Sequence, residues 1–207
     1  EQLAETTSIP LSIDTSKSMV AEQAIQAGAT MVNDVTALQA DPNLVDIINK
    51  HEVNISLMHM QGSPQTMQKN PTYQNIIEEI KEFLRERIDF AVNNGIQKKH
   101  IIIDPGIGFG KRTGKGREDN CSILSHLHEF KELDCPILIG ASRKQFIKNI
   151  SHEQPALSAS DRLEGSLAAA CVAALHGAAI VRVHDVKETR RCLDVIDCIK
   201  KDGNLIN

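Results

Sequence analysis

Short apolar runs alternate with amphipathic stretches along the whole chain. The runs are Pro10 to Asp14, Met31 to Val35, Ile55 to His59, Ile101 to Asp104, Ile137 to Gly140 and Ile180 to His184, each four or five residues long and rich in Ile and Val. Runs of that length and composition predict strands buried on both faces of a parallel sheet. Between them, residues 72–95 put Tyr73, Ile76, Ile77, Ile80, Phe83, Leu84, Ile88 and Ala91 on one helical face and Glu, Lys and Arg elsewhere, which predicts an amphipathic helix. A second helix is predicted over 160–176, with Ser160 as N-cap, alanines for close packing and Gly177 as terminator. Six strand-helix units in unbroken series predict an α/β fold with crossovers of one hand. With no composition break, 1–207 reads as a single domain, and the polar, glycine-rich stretch 111–120 (KRTGKGREDN) reads as a long mobile loop.

Parallel α/β folds bind their ligands at the carboxyl edge of the strands, so the polar residues there carry the functional reading. Strand alternation puts Ser12 with Asp14, Met31 with Asn33, Ile102 with Asp104, and Arg182 with His184 on common faces. If those faces share one cleft, the strands deliver Asp14, Asn33, His59, Asp104, the Ser142-Arg143-Lys144 turn, and Arg182 with His184. Any one of these alone is as well explained by a satisfied buried polar group or a helix cap. Six in register are harder to explain so, because an unpartnered buried charge costs several kcal/mol. Carboxylates and an amide come from the earlier strands and cations from the last two, which suits a ligand with a donor-rich edge and an anionic substituent.

Composition narrows the partners. With 23 Lys+Arg against 27 Asp+Glu the net charge is −4, and aromatics are 3% with no Trp, so neither a basic surface nor stacking platforms for nucleic acid are visible. No run reaches the roughly 18 apolar residues of a membrane span, and the start of the chain lacks the pattern of a signal peptide. Five cysteines without close pairing (Cys121, Cys135, Cys171, Cys192, Cys198) predict a reducing compartment and read as buried small hydrophobes. Gly106-Ile-Gly108-Phe-Gly110-Lys111 imitates a phosphate loop. Pro105 stands where the first Gly is needed, however, and Arg112 where a Ser or Thr would hold Mg²⁺. As a dinucleotide fingerprint it has its third glycine one position early. His126 and His128 point to different helix faces and are expected to be solvated, and Cys192 with Cys198 lacks the companion pair of a zinc site.

The segments LSIDT (with Asp14), Asn33-Asp34-Val35, LMHMQGSPQTMQ (57–68), DPGIGFGK (104–111), GASRK (140–144) and VRVHDVKET (181–189) together resemble dihydropteroate synthase, in order and over essentially the whole chain. The resemblance implies a TIM-type (β/α)₈ barrel, of which this chain holds about six βα units, the family's third strand onward. The implied reaction joins p-aminobenzoate to 6-hydroxymethyl-7,8-dihydropterin diphosphate, giving 7,8-dihydropteroate and pyrophosphate in folate biosynthesis. Carried over residue by residue, Asp14, Asn33 and Asp104 bind the pterin, and Met58 and Phe109 supply apolar walls. Gly140 and Lys144 complete the pterin pocket, and Arg182 serves both pterin and diphosphate. His184 joins Arg182 on the diphosphate, while Ser142, Arg143 and Lys144 receive p-aminobenzoate. Lys144, Asp14, Asp104, Arg182 and His184 form the implied catalytic set.

Mg²⁺ is the implied cofactor, with no ligand in this chain, because the family's Asn ligand and the Thr and Arg residues of its second loop precede the matching segments. Sulfonamides are implied as competitors of p-aminobenzoate, a homodimer through the later helices as the assembly, and the cytoplasm as the location; neither nucleic acid nor membrane is implied. A methyltetrahydrofolate-type methyltransferase domain shares the barrel and the carboxylate-lined pocket, but it needs neither the Ser-Arg-Lys turn nor paired diphosphate ligands. A non-catalytic pterin-binding fragment is the alternative of another class.

Overall fold

The structure, a computed structural model, describes residues 2–63, 65–114, 117–152 and 156–202. After a short helix α1 (Gln2–Thr6), the units follow as β1 (Leu11–Asp14), α2 (Ser18–Gln26), β2 (Ala29–Asp34), α3 (Leu44–His51), β3 (Asn54–Met58), α4 (Ile76–Asn93) and β4 (Ile101–Asp104). A two-stranded ribbon, β5 (Thr113–Gly114) with β6 (Arg117–Glu118), precedes α5 (Asp119–Ser125). The chain then runs through β7 (Leu138–Ile139), α6 (Gln145–Ile150), α7 (Leu163–Leu175), β8 (Ile180–Val181) and α8 (Val186–Asp202).

Strands β1 to β4 pair in sequence order, all parallel, and β7 pairs parallel with β8. The two sets join where Ile103 bridges to Ile137 in parallel and its amide donates to the Pro136 carbonyl at 2.9 Å. The result is one arc of six parallel strands, β1-β2-β3-β4-β7-β8, with helices on the outer face: an incomplete (β/α) barrel, as the strand-helix pattern and the resemblance predicted. The last two strands are shorter than their apolar runs. Pairing past Ile139 survives only as the Arg182 amide on its carbonyl at 2.8 Å, after which both chains turn into the loops that carry the site.

Outward-pointing Val32, Ile55, Leu57, Ile101 and Ile103 are fully buried under the helices. Helix α4 contributes Ile80 and Leu84, also fully buried, each worth roughly 1.5–3 kcal/mol. It begins later than its apolar pattern, because Asn75 caps it by accepting from the Glu78 amide and Glu79 returns a bond to the Asn75 amide at 2.9 Å. Tyr73 therefore lies ahead of the helix, with its hydroxyl donating to the Gly110 carbonyl.

Three expectations need correction. Ser160 does not cap α7, which starts at Leu163; its hydroxyl is held by Ser158 at 2.7 Å instead. Of the cysteines only Cys135 is buried, and Cys198 is exposed. The stretch 111–120, expected as one long loop, is partly built into the fold: Lys111 is 2% exposed, Arg112 pairs with Asp119 at 2.9 Å, and 113–114, 117–118 and 119–120 belong to β5, β6 and α5. Its residues 115 and 116 lie outside the described residues. His126 and His128 are exposed as expected, and Gly177 follows α7 with φ of 108°, as a helix terminator should.

Candidate active site

Register fixes which side chains look into the arc. Asp14 stands beside Asn33, Asn33 beside Ser56, Ser56 beside Ile102, and Met58 beside Asp104. Because side chains alternate, Asp14, Asn33, Met58 and Asp104 share the inner face, and Arg182, in phase with Ile180, closes the set from β8.

A cavity of about 400 Å³ lies inside the arc, lined by Asp14, Met31, Asn33, Leu138, Ile180 and Arg182. Asn33 donates through Nδ2 to Asp14 Oδ1 at 2.7 Å, and the Arg182 guanidinium pairs with the other oxygen of the same carboxylate. The Asn33 Oδ1, buried, accepts no bond among the described residues, nor does the neighbouring Ser56 hydroxyl find a partner there. A buried acceptor with spare capacity is a place for a ligand N–H.

Asp104 ends β4 with 6% of its surface exposed. The Gly106 amide donates to its Oδ1 at 2.7 Å, a close approach that the positive φ of Gly106 (76°) permits. Burial pushes the Asp104 carboxyl up to about 6, although the Gly106 amide, Lys111, Lys144 and Arg182 all pull it down. One carboxylate oxygen is thus engaged by backbone, leaving acceptor capacity for a donor pair on a ligand edge.

Lys144 Nζ sits 3.9 Å from the centroid of Phe109, a cation-π contact that aligns the apolar wall with the cation. Burial pushes the Lys144 ammonium below the usual lysine range, with Asp104 opposing and Arg182 adding to the shift.

The turn after Gly140 is held from three sides. Arg143 adopts a left-handed φ of 57°, its amide donates to Ser166 Oγ at 2.9 Å, and its carbonyl accepts from Arg162 at 2.8 Å. Its guanidinium is engaged by Asp185 at 2.5 Å, so Arg143 fastens this turn to the loop after β8. Ser142 is buried and its hydroxyl meets His184 Nδ1 at 2.9 Å. Ser142, Arg143 and His184 therefore form the frame around Lys144.

Strand-end logic grouped His59 with the cavity residues, but the structure does not bring it there. It follows inward-facing Met58 and so turns to the helix layer, edge-on to Phe83 at 5.0 Å, with Nδ1 3.0 Å from Lys111 Nζ. Burial and the Lys111 charge push its imidazole down to about 2, so it is neutral. The residue that sequence reasoning missed is Lys111. Its signal is a lysine directly after three alternating glycines, within the DPGIGFGK segment and at the head of the polar stretch 111–120.

Among the described residues no three His, Cys, Asp or Glu side chains converge to hold a metal ion, and Asp14 is already engaged by Arg182 and Asn33. The described residues alone do not fit an Mg²⁺ ion. Among them no helix is long and apolar enough to cross a membrane.

The family model described as pterin binding enzyme matches residues 1–184. A dihydropteroate synthase of Synechocystis is 41% identical over 199 residues, covering 96% of this chain and 66% of that protein. The chain thus spans just under two thirds of that relative's length. Among solved structures, the Yersinia pestis dihydropteroate synthase in a sulfonamide drug complex superposes with a TM-score of 0.90 at 36% identity, covering 98% of this chain and 70% of that one. The Xanthomonas albilineans dihydropteroate synthase in complex with 7,8-dihydropteroate gives 0.86 at 39% identity, covering 96% and 70%.

Proposed function

From the premise that this chain belongs to the pterin-binding enzyme family, we propose that it supplies the pterin and p-aminobenzoate sites of a dihydropteroate synthase. The substrates on this reading are 6-hydroxymethyl-7,8-dihydropterin diphosphate and p-aminobenzoate, and the products 7,8-dihydropteroate and pyrophosphate. The observation that carries the reading is the sorting of charge around one arc: Asp14, Asn33 and Asp104 on β1, β2 and β4, Lys144 and Arg182 after β7 and within the loop of β8.

Asp104 accepts from the donor edge of the heterocycle and Asn33 Oδ1 from a further N–H, while Met58, Phe109 and Gly140 leave the faces of the ring apolar. Arg182 and His184 grip the diphosphate. When the carbon–oxygen bond to the diphosphate breaks, the electron pair leaves with the pyrophosphate and these two side chains stabilise it by donating hydrogen bonds. The electron-rich ring carries the resulting methylene cation, with Asp14 and Asp104 near it. The neutral aromatic amine, held beside Ser142, Arg143 and Lys144, then forms the new carbon–nitrogen bond and releases its proton. An aniline needs no deprotonation at pH 7, so orientation by the framed turn supplies much of the rate. Sulfonamides compete for that amine position.

We assign Mg²⁺ to the complete site only as a cofactor whose ligands lie outside the described residues, and we route no step through it. A homodimer accords with the apolar residues exposed on α7 and α8, Val172, Val186, Val195 and Ile199. A cytoplasmic location accords with the unbridged thiols of Cys121 and Cys171. A methyltransferase domain of the same fold would leave Lys144, Arg182 and His184 without a use.

The test is pyrophosphate release in the full-length protein. Unaltered protein given both substrates should release pyrophosphate, and Lys144→Ala should release none above background. Full turnover by that variant removes Lys144 from the mechanism, and no turnover by the unaltered protein removes the reading.

A further inference from the structure

Lys111 is among the largest side chains fully buried in the molecule, at 2% exposure, yet no step above uses it. Its Nζ has three acceptors: His59 Nδ1 at 3.0 Å, the Gly106 carbonyl at 2.9 Å and the Phe109 carbonyl at 2.9 Å. An ammonium has three N–H donors and no acceptor, so it matches this set completely with the His59 proton on Nε2. The acceptors belong to two different segments. His59 follows β3, and Gly106 and Phe109 belong to the loop after β4.

Both loop residues adjoin pterin-binding groups on the reading above. The Gly106 amide bonds the Asp104 carboxylate, and the Phe109 ring carries Lys144. We propose that Lys111 is a positioning residue for the pterin pocket: its buried ammonium ties the end of β3 to the loop after β4 and thereby aims Asp104 and Phe109 at the heterocycle. This deepens the proposed function and rests on it.

Burial pushes the Lys111 ammonium down to about 7; Asp104 on β4 and Asp119 on α5 oppose that shift, Lys144, at the start of α6, adds to it, and His59, after β3, is neutral. In the other direction Lys111 is one of three cations, with Lys144 and Arg182, that pull the Asp104 carboxyl downward. A side chain that only filled space would not.

The experiment is pterin affinity against pH in the full-length protein, for unaltered protein, Lys111→Met and Lys111→Gln. Both variants should bind a 6-hydroxymethylpterin about tenfold or more weakly at pH 7, the scale of a lost charge-assisted bond. The acid limb of binding should also move upward by about one pH unit, because Asp104 has lost a stabilising cation. Unchanged affinity with an unchanged limb overturns the proposal while leaving the proposed function intact. If the unaltered protein binds no pterin, both fall together. Should neither variant fold, ¹⁵N-lysine NMR of the unaltered protein decides. One slowly exchanging ammonium that is further protected on adding the pterin is expected; exchange at the rate of surface lysines overturns the proposal.

Discussion

Asp104→Asn should separate binding from stability. In the unfolded chain the carboxyl titrates near 3.8, whereas burial holds it up to about 6 in the fold. The native state therefore binds more protons than the unfolded state between those values, and stability falls as pH rises from about 4 to about 6. Above that window the ionised carboxylate costs about 3 kcal/mol, from about two pH units at 1.36 kcal/mol each. Asparagine keeps an oxygen for the Gly106 amide and abolishes this cost, with a partial offset because Lys111 loses the largest of the charges that favour its ammonium. The unliganded variant should thus be at least as stable at pH 7 as the unaltered protein, by up to about 3 kcal/mol, and should lack the decline between pH 4 and 6. Binding should move the other way: losing a charged acceptor for a donor pair costs about 1.5–3 kcal/mol, or roughly ten- to hundredfold in Kd. Denaturant melts across pH, with calorimetric titration of a pterin, measure both. A variant that melts markedly lower at pH 7, or binds the pterin as well as the unaltered protein, would refute the reasoning.

Two further substitutions probe the same edge. Gly106→Ala places a methyl group against the His59 carbonyl oxygen at a φ of 76°, where a side chain already costs about 1–2 kcal/mol, so thermal melting should fall by at least about 2 °C; an unchanged melt would mean that the loop relaxes freely. Arg182→Met breaks a pair whose side chains are 57% and 53% exposed, so stability should change by less than about 1 kcal/mol. The same variant should lose affinity for the pterin diphosphate far more than for the pterin alcohol, and equal losses in a paired titration would take Arg182 off the diphosphate.

The arc and its inner face were legible because a period of two leaves little freedom: the parity of Asp14, Asn33, Asp104 and Arg182 could be read from the chain and reappears in the register. Adjacent Asn33 and Asp34 illustrate what parity decides. Asp34 faces outward, and its carboxylate is saturated by the Thr36 amide, the Thr36 hydroxyl and the Leu38 amide, a local turn that accommodates positive φ at Ala37 and Leu38. Asn33 faces inward and keeps an acceptor in reserve. Contacts set by tertiary packing were not legible. Nothing local in KRTGKGREDN announces that Lys111 reaches His59, 52 residues away, or that Arg112 folds back on Asp119. Ser160 looked like a cap because its identity suits one, but Ser158 and Asp161 compete for its hydroxyl. Nor does anything local announce that the Arg143 guanidinium meets Asp185, 42 residues on.

The contact between Asp14 and Arg182 joins residues 168 apart in the chain, against 19 for Asp14 and Asn33. Loop-closure entropy grows with the logarithm of separation, which makes the longer contact about 2 kcal/mol harder to close than the shorter. An exposed ion pair returns less than about 1 kcal/mol. The pair cannot draw the ends of the arc together; it forms only after the intervening ladders have aligned. The chamber between first and last strand is accordingly a late event in folding, and its integrity reports on every strand between them.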